Sequence, residues 1–198
     1  MSPDTLAGLE VYLRVLTRWN ARVNLTALPL DEPTDETFDR LLIEPLAAAR
    51  IVDDAASSWM DIGSGGGSPA IPLKLARPAL QLTMVESKTR KAAFLREAVR
   101  ELGLRDVSVE TARFEEIASR DGVEGSAGLM TIRAVKFDAK LIRSIANVMR
   151  PGGKLLTFRE TAAVENLEGF GPQRSTAIFG SRSARPSFVI AYERQSHP

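Results

Sequence analysis

Ser58-Trp59-Met60-Asp61-Ile62-Gly63-Ser64-Gly65-Gly66-Gly67 is the stretch on which the fold turns. The first five residues form a short apolar run, and the glycines after them end it abruptly. That is the pattern of a buried strand running into a tight loop. Pro69 to Ala76 then reads as a helix. Downstream the same alternation repeats. Leu80–Glu86, Val107–Thr111, Leu129–Ile132 and Lys154–Phe158 read as strands. Between them, helices are expected over residues 88–102, 113–119 and 138–149. In 88–102, Ala92, Leu95, Val99 and Leu102 share one face and Gly103 is the stop signal. A Gly-rich loop is expected at 122–128 and a turn at Pro151-Gly152-Gly153. Thr176–Phe179 and Phe188–Tyr192 are two last strands with no helical pattern between them, so one should be antiparallel. Strands alternating with helices predict a doubly wound, mostly parallel seven-stranded α/β sheet.

Ahead of this core the pattern is helical. Ser2 and Pro3 supply a capping hydroxyl and a proline for the first turn. Leu6, Leu9, Leu13, Leu16 and Val23 follow at helical spacing. That spacing would put Asn20 and Asn24 on one helical face, where they serve either the site or loop hydrogen bonding. Trp19 is read as core packing in preference to base stacking. Thr34 can cap a second helix carrying Phe38, Leu41, Leu42 and Leu46, which Pro45 should kink or restart. The expected organisation is a single domain over 1–198: an N-terminal helical extension, 1–52, and an α/β core, 53–198.

In such a sheet, ligands bind beyond the carboxyl ends of the strands, at the switch point where the loop after the first strand lies. Glycine there permits positive φ and close approach of a ligand to the backbone. Alone, these glycines allow a nucleotide, a dinucleotide or a plain turn. The dinucleotide pattern Gly-x-Gly-x-x-Gly counted from Gly63 would need its third glycine at Ser68. What stands here is Asp-x-Gly-x-Gly-x-Gly, with Asp61 at the strand end. A carboxylate there suits the ammonium of a methionine better than a pyrophosphate. A second acid, Glu86, ends the second strand, where it can take both ribose hydroxyls. Together Asp61, Gly63, Gly65 and Glu86 point to S-adenosylmethionine.

Further residues stand in a characteristic order. They are Trp19-Asn20 with Asn24-Leu25-Thr26, Asp61 to Gly67, Pro69-Ala70-Ile71-Pro72-Leu73, Glu86-Ser87 with Lys88 and Arg90, Leu102-Gly103-Leu104, Arg113-Phe114-Glu115-Glu116, and Arg133-Ala134. From about residue 10 to about residue 160 the chain resembles the RsmG (GidB) family of bacterial ribosomal RNA methyltransferases, whose fold is the class I methyltransferase sheet. The resemblance implies methyl transfer from S-adenosylmethionine to N7 of a guanine in 16S ribosomal RNA, with that RNA or the small ribosomal subunit as partner. It implies cofactor contacts at Gly63, Ser68, Glu86 and Ser87, at Phe114 and Glu115 beside the adenine, and at Arg133. Arg133 is also the candidate catalytic residue, placed to bond guanine O6 or a phosphate; a strand-end salt bridge is the plainer role for it. The chain departs from the family in four places, the mildest being Glu86, where the family usually has aspartate. Arg40-Leu41-Leu42-Ile43-Glu44 replaces a His-x-x-Asp-Ser element, Arg159-Glu160 replaces Lys-Gly, and Ser68 replaces a larger apolar residue. These departures bear on the RNA side more than on the cofactor loop.

Charge distribution fits an anionic partner. Residues 1–50 carry five Arg and eight Asp or Glu, whereas residues 133–159 carry seven Lys or Arg and only Asp138. Lys136, Lys140, Arg143 and Arg159 are the candidate phosphate contacts, and a solvated basic surface is the alternative. The absence of cysteine excludes disulfides, a thiolate nucleophile and cysteine-ligated zinc. No metal is expected. The single histidine, His197, is given no role. Met1-Ser2-Pro3-Asp4 lacks the features of a signal peptide, and no apolar run reaches the roughly 20 residues that span a bilayer. A cytoplasmic monomer without membrane contact is therefore expected. Three other functions stay open: a methyltransferase of a small molecule or protein, a non-catalytic S-adenosylmethionine-binding module, and, least in keeping with the glycines, a nicotinamide binder.

Overall fold

The computed structural model describes residues 1–52, 57–135, 137–171, 174–177 and 187–195. Seven strands form one sheet: β1 (Ser58–Ile62), β2 (Gln81–Val85), β3 (Val107–Glu110), β4 (Ala127–Arg133), β5 (Met149–Arg159), β6 (Arg174–Ala177) and β7 (Phe188–Glu193). Their spatial order is β3-β2-β1-β4-β5-β7-β6. β1 to β5 are parallel, and β7 runs antiparallel to both β5 and β6. The chain builds outward from β1 in one direction, then returns to β1's other side with β4. The switch point thus lies between the carboxyl ends of β1 and β4, at Ile62 and Arg133.

The strand alternation sorts the core into two layers. Trp59, Leu82, Met84, Leu129, Leu156 and Phe158 pack on one face with residues of the helices α1 (Pro3–Asn20), α4 (Ala70–Ala76) and α5 (Thr89–Glu101). Met60, Ile62, Val85, Met130, Ile132 and Leu155 pack on the other with α6 (Phe114–Ala118) and α7 (Ala139–Val148). Asp61 shares the parity of Trp59 and so belongs to the α1/α4/α5 face.

The helix signals act as the sequence reading expects. The Ser2 hydroxyl accepts from the Thr5 amide at 3.1 Å, capping α1. Thr34 caps α2 (Asp35–Phe38) in a reciprocal pair with Thr37. A π-helical turn, Asp39–Ile43, then leads into α3 (Glu44–Ala48). Pro45 has no N–H, so the carbonyls of Arg40 and Leu41 lose the donor that a continuing helix would bring them. Both carbonyls instead accept from the Ser68 hydroxyl, at 3.2 and 3.1 Å. The proline thereby fastens the helical extension to the glycine loop.

Two local expectations fail. α1 ends at Asn20, so Asn20 and Asn24 do not share a helical face. The Asn20 Oδ1 accepts from the amides of Leu25 and Thr26, and its Nδ2 donates to the Thr26 carbonyl at 3.2 Å. Those loop bonds satisfy the chain where the helix stops. Pro151-Gly152-Gly153 is a bulge inside β5 and not a turn preceding it. Ala127 pairs with Met149 and Leu129 with Lys154, so three extra residues are looped out. The expected end of β6, Ile178-Phe179, lies outside the described residues.

Candidate functional site

β1 delivers Asp61 to the switch point almost fully buried, 1% exposed. Its register partner on β4 is Thr131. The Thr131 hydroxyl donates to Asp61 Oδ1 at 2.5 Å and accepts from the Trp59 indole N–H at 2.9 Å. Asp61 Oδ2 has no partner among the described residues. Burial pushes the Asp61 carboxyl up to about pKa 6, against the opposing pull of the nearby Ser64 and Thr131 hydroxyls, of which Thr131 bonds the carboxylate and Ser64 the Asp61 main-chain carbonyl. A buried carboxylate oxygen without a donor is a place made for a cation or an N–H group.

The loop after β1 is shaped by left-handed glycines, with φ of +71° at Gly63, +48° at Gly65 and +84° at Gly67. A Cβ on Gly67 would stand 2.6 Å from Ile71 Cδ1, so the turn also requires the smallest residue there. Glu86, 6% exposed, braces the loop. Its Oε2 accepts from the Gly65 amide at 3.0 Å and its Oε1 from the Lys88 amide at 2.7 Å. Each oxygen keeps a further acceptor position, enough for a pair of hydroxyls. From below, the Tyr12 hydroxyl of α1 donates to the Gly66 carbonyl at 2.7 Å. Burial pushes the Tyr12 phenol well above its ordinary pKa, so it stays a donor.

Arg133 ends β4 beside this loop and is 14% exposed. Its Nη2 donates to Glu44 Oε2 at 2.5 Å and its Nη1 to the Arg40 carbonyl and, at 3.3 Å, to Ser68 Oγ. The guanidinium lies 4.5 Å over the Phe158 ring, and Nε has no partner among the described residues. Burial pulls the Arg133 pKa down, and the Glu44 carboxylate pulls it back up. The strand-end salt bridge is therefore present. Glu44 is also held by the Ser187 hydroxyl.

The other candidate positions do not all gather at this centre: Arg143 lines a separate pocket with Gly125, Met149 and Arg194, at the amino ends of β4 and β5. Ser87 is exposed just past Glu86, Phe114 is buried at the start of α6, and Glu115 is half-buried beside it. Lys140 and Arg143 are exposed on α7. Arg159 ends β5, bonds Glu165 at 2.8 Å and lies 5.1 Å over the Phe137 ring. Lys136 lies outside the described residues, as does His197. Trp19 packs edge-to-face on Phe94 with centroids 6.0 Å apart, a core contact. Sequence reasoning passed over Tyr12, Glu44 and Thr131, which hold the site from behind. The only signal was polar chemistry inside apolar runs: an acid in Leu41-Leu42-Ile43-Glu44 and a threonine in Leu129-Met130-Thr131-Ile132.

A family model described as rRNA small subunit methyltransferase G matches residues 5–183. The chain belongs to that family. It is 40% identical over 148 residues to a ribosomal RNA small subunit methyltransferase G of Stenotrophomonas maltophilia (strain K279a), covering 75% of this chain and 66% of that protein. It is 42% identical to the protein of the same name from Roseiflexus sp. (strain RS-1), covering 80% of this chain and 70% of the relative. The match thus spans about two thirds of these relatives' lengths. Among solved structures, the cofactor-bound Rv0187 from MTB superposes with a TM-score of 0.62 at 18% identity, covering 99% of this chain and 92% of that one. The tRNA (m1A58) methyltransferase TrmI from Aquifex aeolicus gives 0.63 at 12% identity, covering 78% and 69%. These establish the class I methyltransferase fold. Among the described residues no helix is long and apolar enough to cross a membrane.

Proposed function

We propose that this chain transfers a methyl group from S-adenosylmethionine to N7 of a guanine in 16S ribosomal RNA. The observation that carries the reading is the unpartnered, buried Oδ2 of Asp61, set under a glycine loop braced by Glu86. It fits the cofactor's ammonium group, as Glu86 fits the ribose hydroxyls and the α6 start, with Phe114 and Glu115, fits the adenine. Gly63, Gly65, Ser68 and Ser87 complete the cofactor side. The acceptor side is the cleft of about 500 Å³ at the carboxyl ends of β4 and β5, lined by Arg40, Arg133, Phe137, Phe158 and Arg159 among others.

When bound, the cofactor supplies an electrophilic methyl on a sulfonium, which a guanine N7 lone pair can take without a general base. The protein's contribution is then positioning, which is worth up to about 7–11 kcal/mol of barrier in well-oriented systems. Arg133 contributes a fixed cation at the boundary of the two sites. Its Nη groups are spent on Glu44, Arg40 and Ser68, so it meets guanine O6 or a phosphate as a fixed charge; its Nε is buried and has no partner among the described residues. Arg159 at the cleft and Lys140 at the start of α7 are the phosphate candidates on this side.

The test is tritium transfer from labelled S-adenosylmethionine to unmodified 16S RNA or small subunits, followed by mapping of the modified base. Label on a guanine N7 is expected. Intact cofactor binding with no label in any RNA overturns the reading. One observation favours a second acceptor class, a small molecule or protein: the arginines that line the cleft each already hold a carboxylate. A methyl-acceptor screen that succeeds without RNA would select it.

A further inference from the structure

Three guanidinium groups from three separate elements meet at the acceptor cleft: Arg40 from the π-helical turn, Arg133 from the end of β4 and Arg159 from the end of β5. Arg133 is buried and tied into the fold. The other two are held by acids of one short segment. Arg40 Nη1 lies 2.8 Å from Glu160 Oε1. Arg159 meets Glu165 fork to fork, Nη1 to Oε1 at 2.8 Å and Nη2 to Oε2 at 3.4 Å. Residues 160–166 contain no helix or strand, and all seven are exposed. The exposure is asymmetric within each pair. Glu160 and Glu165 are 55% and 52% exposed, while Arg40 and Arg159 are 33% and 25% exposed. The arginines belong to the framework, and the acids sit on top of them from the solvent side.

We propose that Arg40 and Arg159 are phosphate subsites for the RNA acceptor, occupied by the carboxylates of Glu160 and Glu165 until the RNA displaces them. The inference rests on the RNA-acceptor reading of the cleft. A bidentate arginine–carboxylate pair has the geometry of an arginine–phosphate pair, so Glu165 keeps the Arg159 fork in the orientation that a phosphodiester needs, while Glu160 holds Arg40 through one nitrogen. Exposed ion pairs are weak, so exchanging a tethered carboxylate for a phosphate is cheap. The arrangement also confers selectivity. An isolated anion must compete with a tethered one at a single fork. A polyanion spanning both arginines displaces two acids in one event. With the acids in place, each guanidinium is neutralised by a carboxylate; with Glu160 and Glu165 displaced, both face the ligand, Arg40 keeping only its longer contact to Glu36 at 3.5 Å.

The test is equilibrium binding of unmodified, protein-free 16S RNA to the full chain at several salt concentrations. S-adenosylhomocysteine binding serves as the control for folding. For E160Q/E165Q the dissociation constant is expected to fall by about 2- to 30-fold, the combined worth of two exposed pairs. For R40Q/R159Q binding should weaken, and the slope of log K against log salt should flatten by about 1 to 2. The single variants E160Q and E165Q should each show part of the gain. RNA affinity unchanged or weakened in E160Q/E165Q, with S-adenosylhomocysteine binding intact, overturns the proposal. Because the readout is binding, the two readings fail separately. Methyl transfer to 16S RNA without these affinity changes removes only the subsites. The affinity changes without methyl transfer remove only the proposed reaction.

Discussion

Replacing Asp61 by asparagine should stabilise the protein without cofactor and weaken it as a cofactor binder. Asp61 is 1% exposed, with Oδ1 held by Thr131 and Oδ2 held by nothing among the described residues. Burial raises its pKa from 3.8 to about 6. Between those values the native state holds a proton that the unfolded chain has lost, so stability declines as pH rises through this window. Above it the native carboxylate is ionised and carries the whole difference, roughly 3 kcal/mol. Asparagine removes that charge. Its Nδ2, standing where Oδ2 was, is left as an unpaired donor at a cost of about 1–2 kcal/mol. The net gain of about 1–2 kcal/mol corresponds to a Tm rise of about 2–8 °C for a chain of this size. The cofactor's ammonium meanwhile loses an ionic hydrogen bond worth about 1.5–3 kcal/mol, so S-adenosylhomocysteine should bind about 10- to 150-fold more weakly. Calorimetric titration from about pH 5 to pH 8, with parallel thermal melts at neutral pH, reads both effects. Wild-type affinity should decline below pH about 6 as Asp61 protonates, and D61N should be flat over the same range. Binding by D61N within threefold of wild type at neutral pH, or a wild-type affinity independent of pH, refutes the pairing of Asp61 with the ammonium.

Three further outcomes follow from the contacts behind the site. Glu44→Gln leaves the Arg133 guanidinium buried without its counter-charge, and should cost about 3–5 kcal/mol in denaturant unfolding; a loss under 1 kcal/mol would show that the Arg40 carbonyl and Ser68 suffice. Thr131→Val keeps the shape but orphans both the Trp59 indole N–H and Asp61 Oδ1. It should destabilise by about 2–4 kcal/mol and raise the Asp61 pKa further, moving the acid side of the cofactor-binding profile to higher pH. Tyr12→Phe removes the bond to the Gly66 carbonyl. A loss of about 0.5–1.5 kcal/mol in stability, with weaker S-adenosylhomocysteine binding, is expected; unchanged binding would mean that the loop holds its shape without α1.

Strand identity, helix identity and the glycine loop were legible in the sequence because each is a local property. Apolar runs bounded by glycine, a hydroxyl before a proline and a 3.6-residue apolar stripe act within a few residues. The ends of elements were less legible. α1 stops at Asn20 because the Asn20 side chain satisfies the amides of Leu25 and Thr26, a bond that the apolar spacing out to Val23 does not reveal. The bulge at Arg150–Gly153 is set by the register with β4, which no single strand contains.

The sequence by itself determined the doubly wound sheet, the glycine loop and the acids Asp61 and Glu86 at the strand ends, since period and position in a βαβ unit place them. Only the tertiary structure decided their electrostatic state. Whether Asp61 keeps an unpartnered oxygen depends on Thr131, 70 positions away, being its register partner. Whether Arg133 is free or paired depends on Pro45 freeing the Arg40 carbonyl and on α3 carrying Glu44 beneath it. Whether Arg40 and Glu160 oppose each other depends on β5 ending beside the π-helical turn. Burial and charge pairing are sums over neighbours that the chain brings together from far apart, and one-dimensional spacing does not contain them.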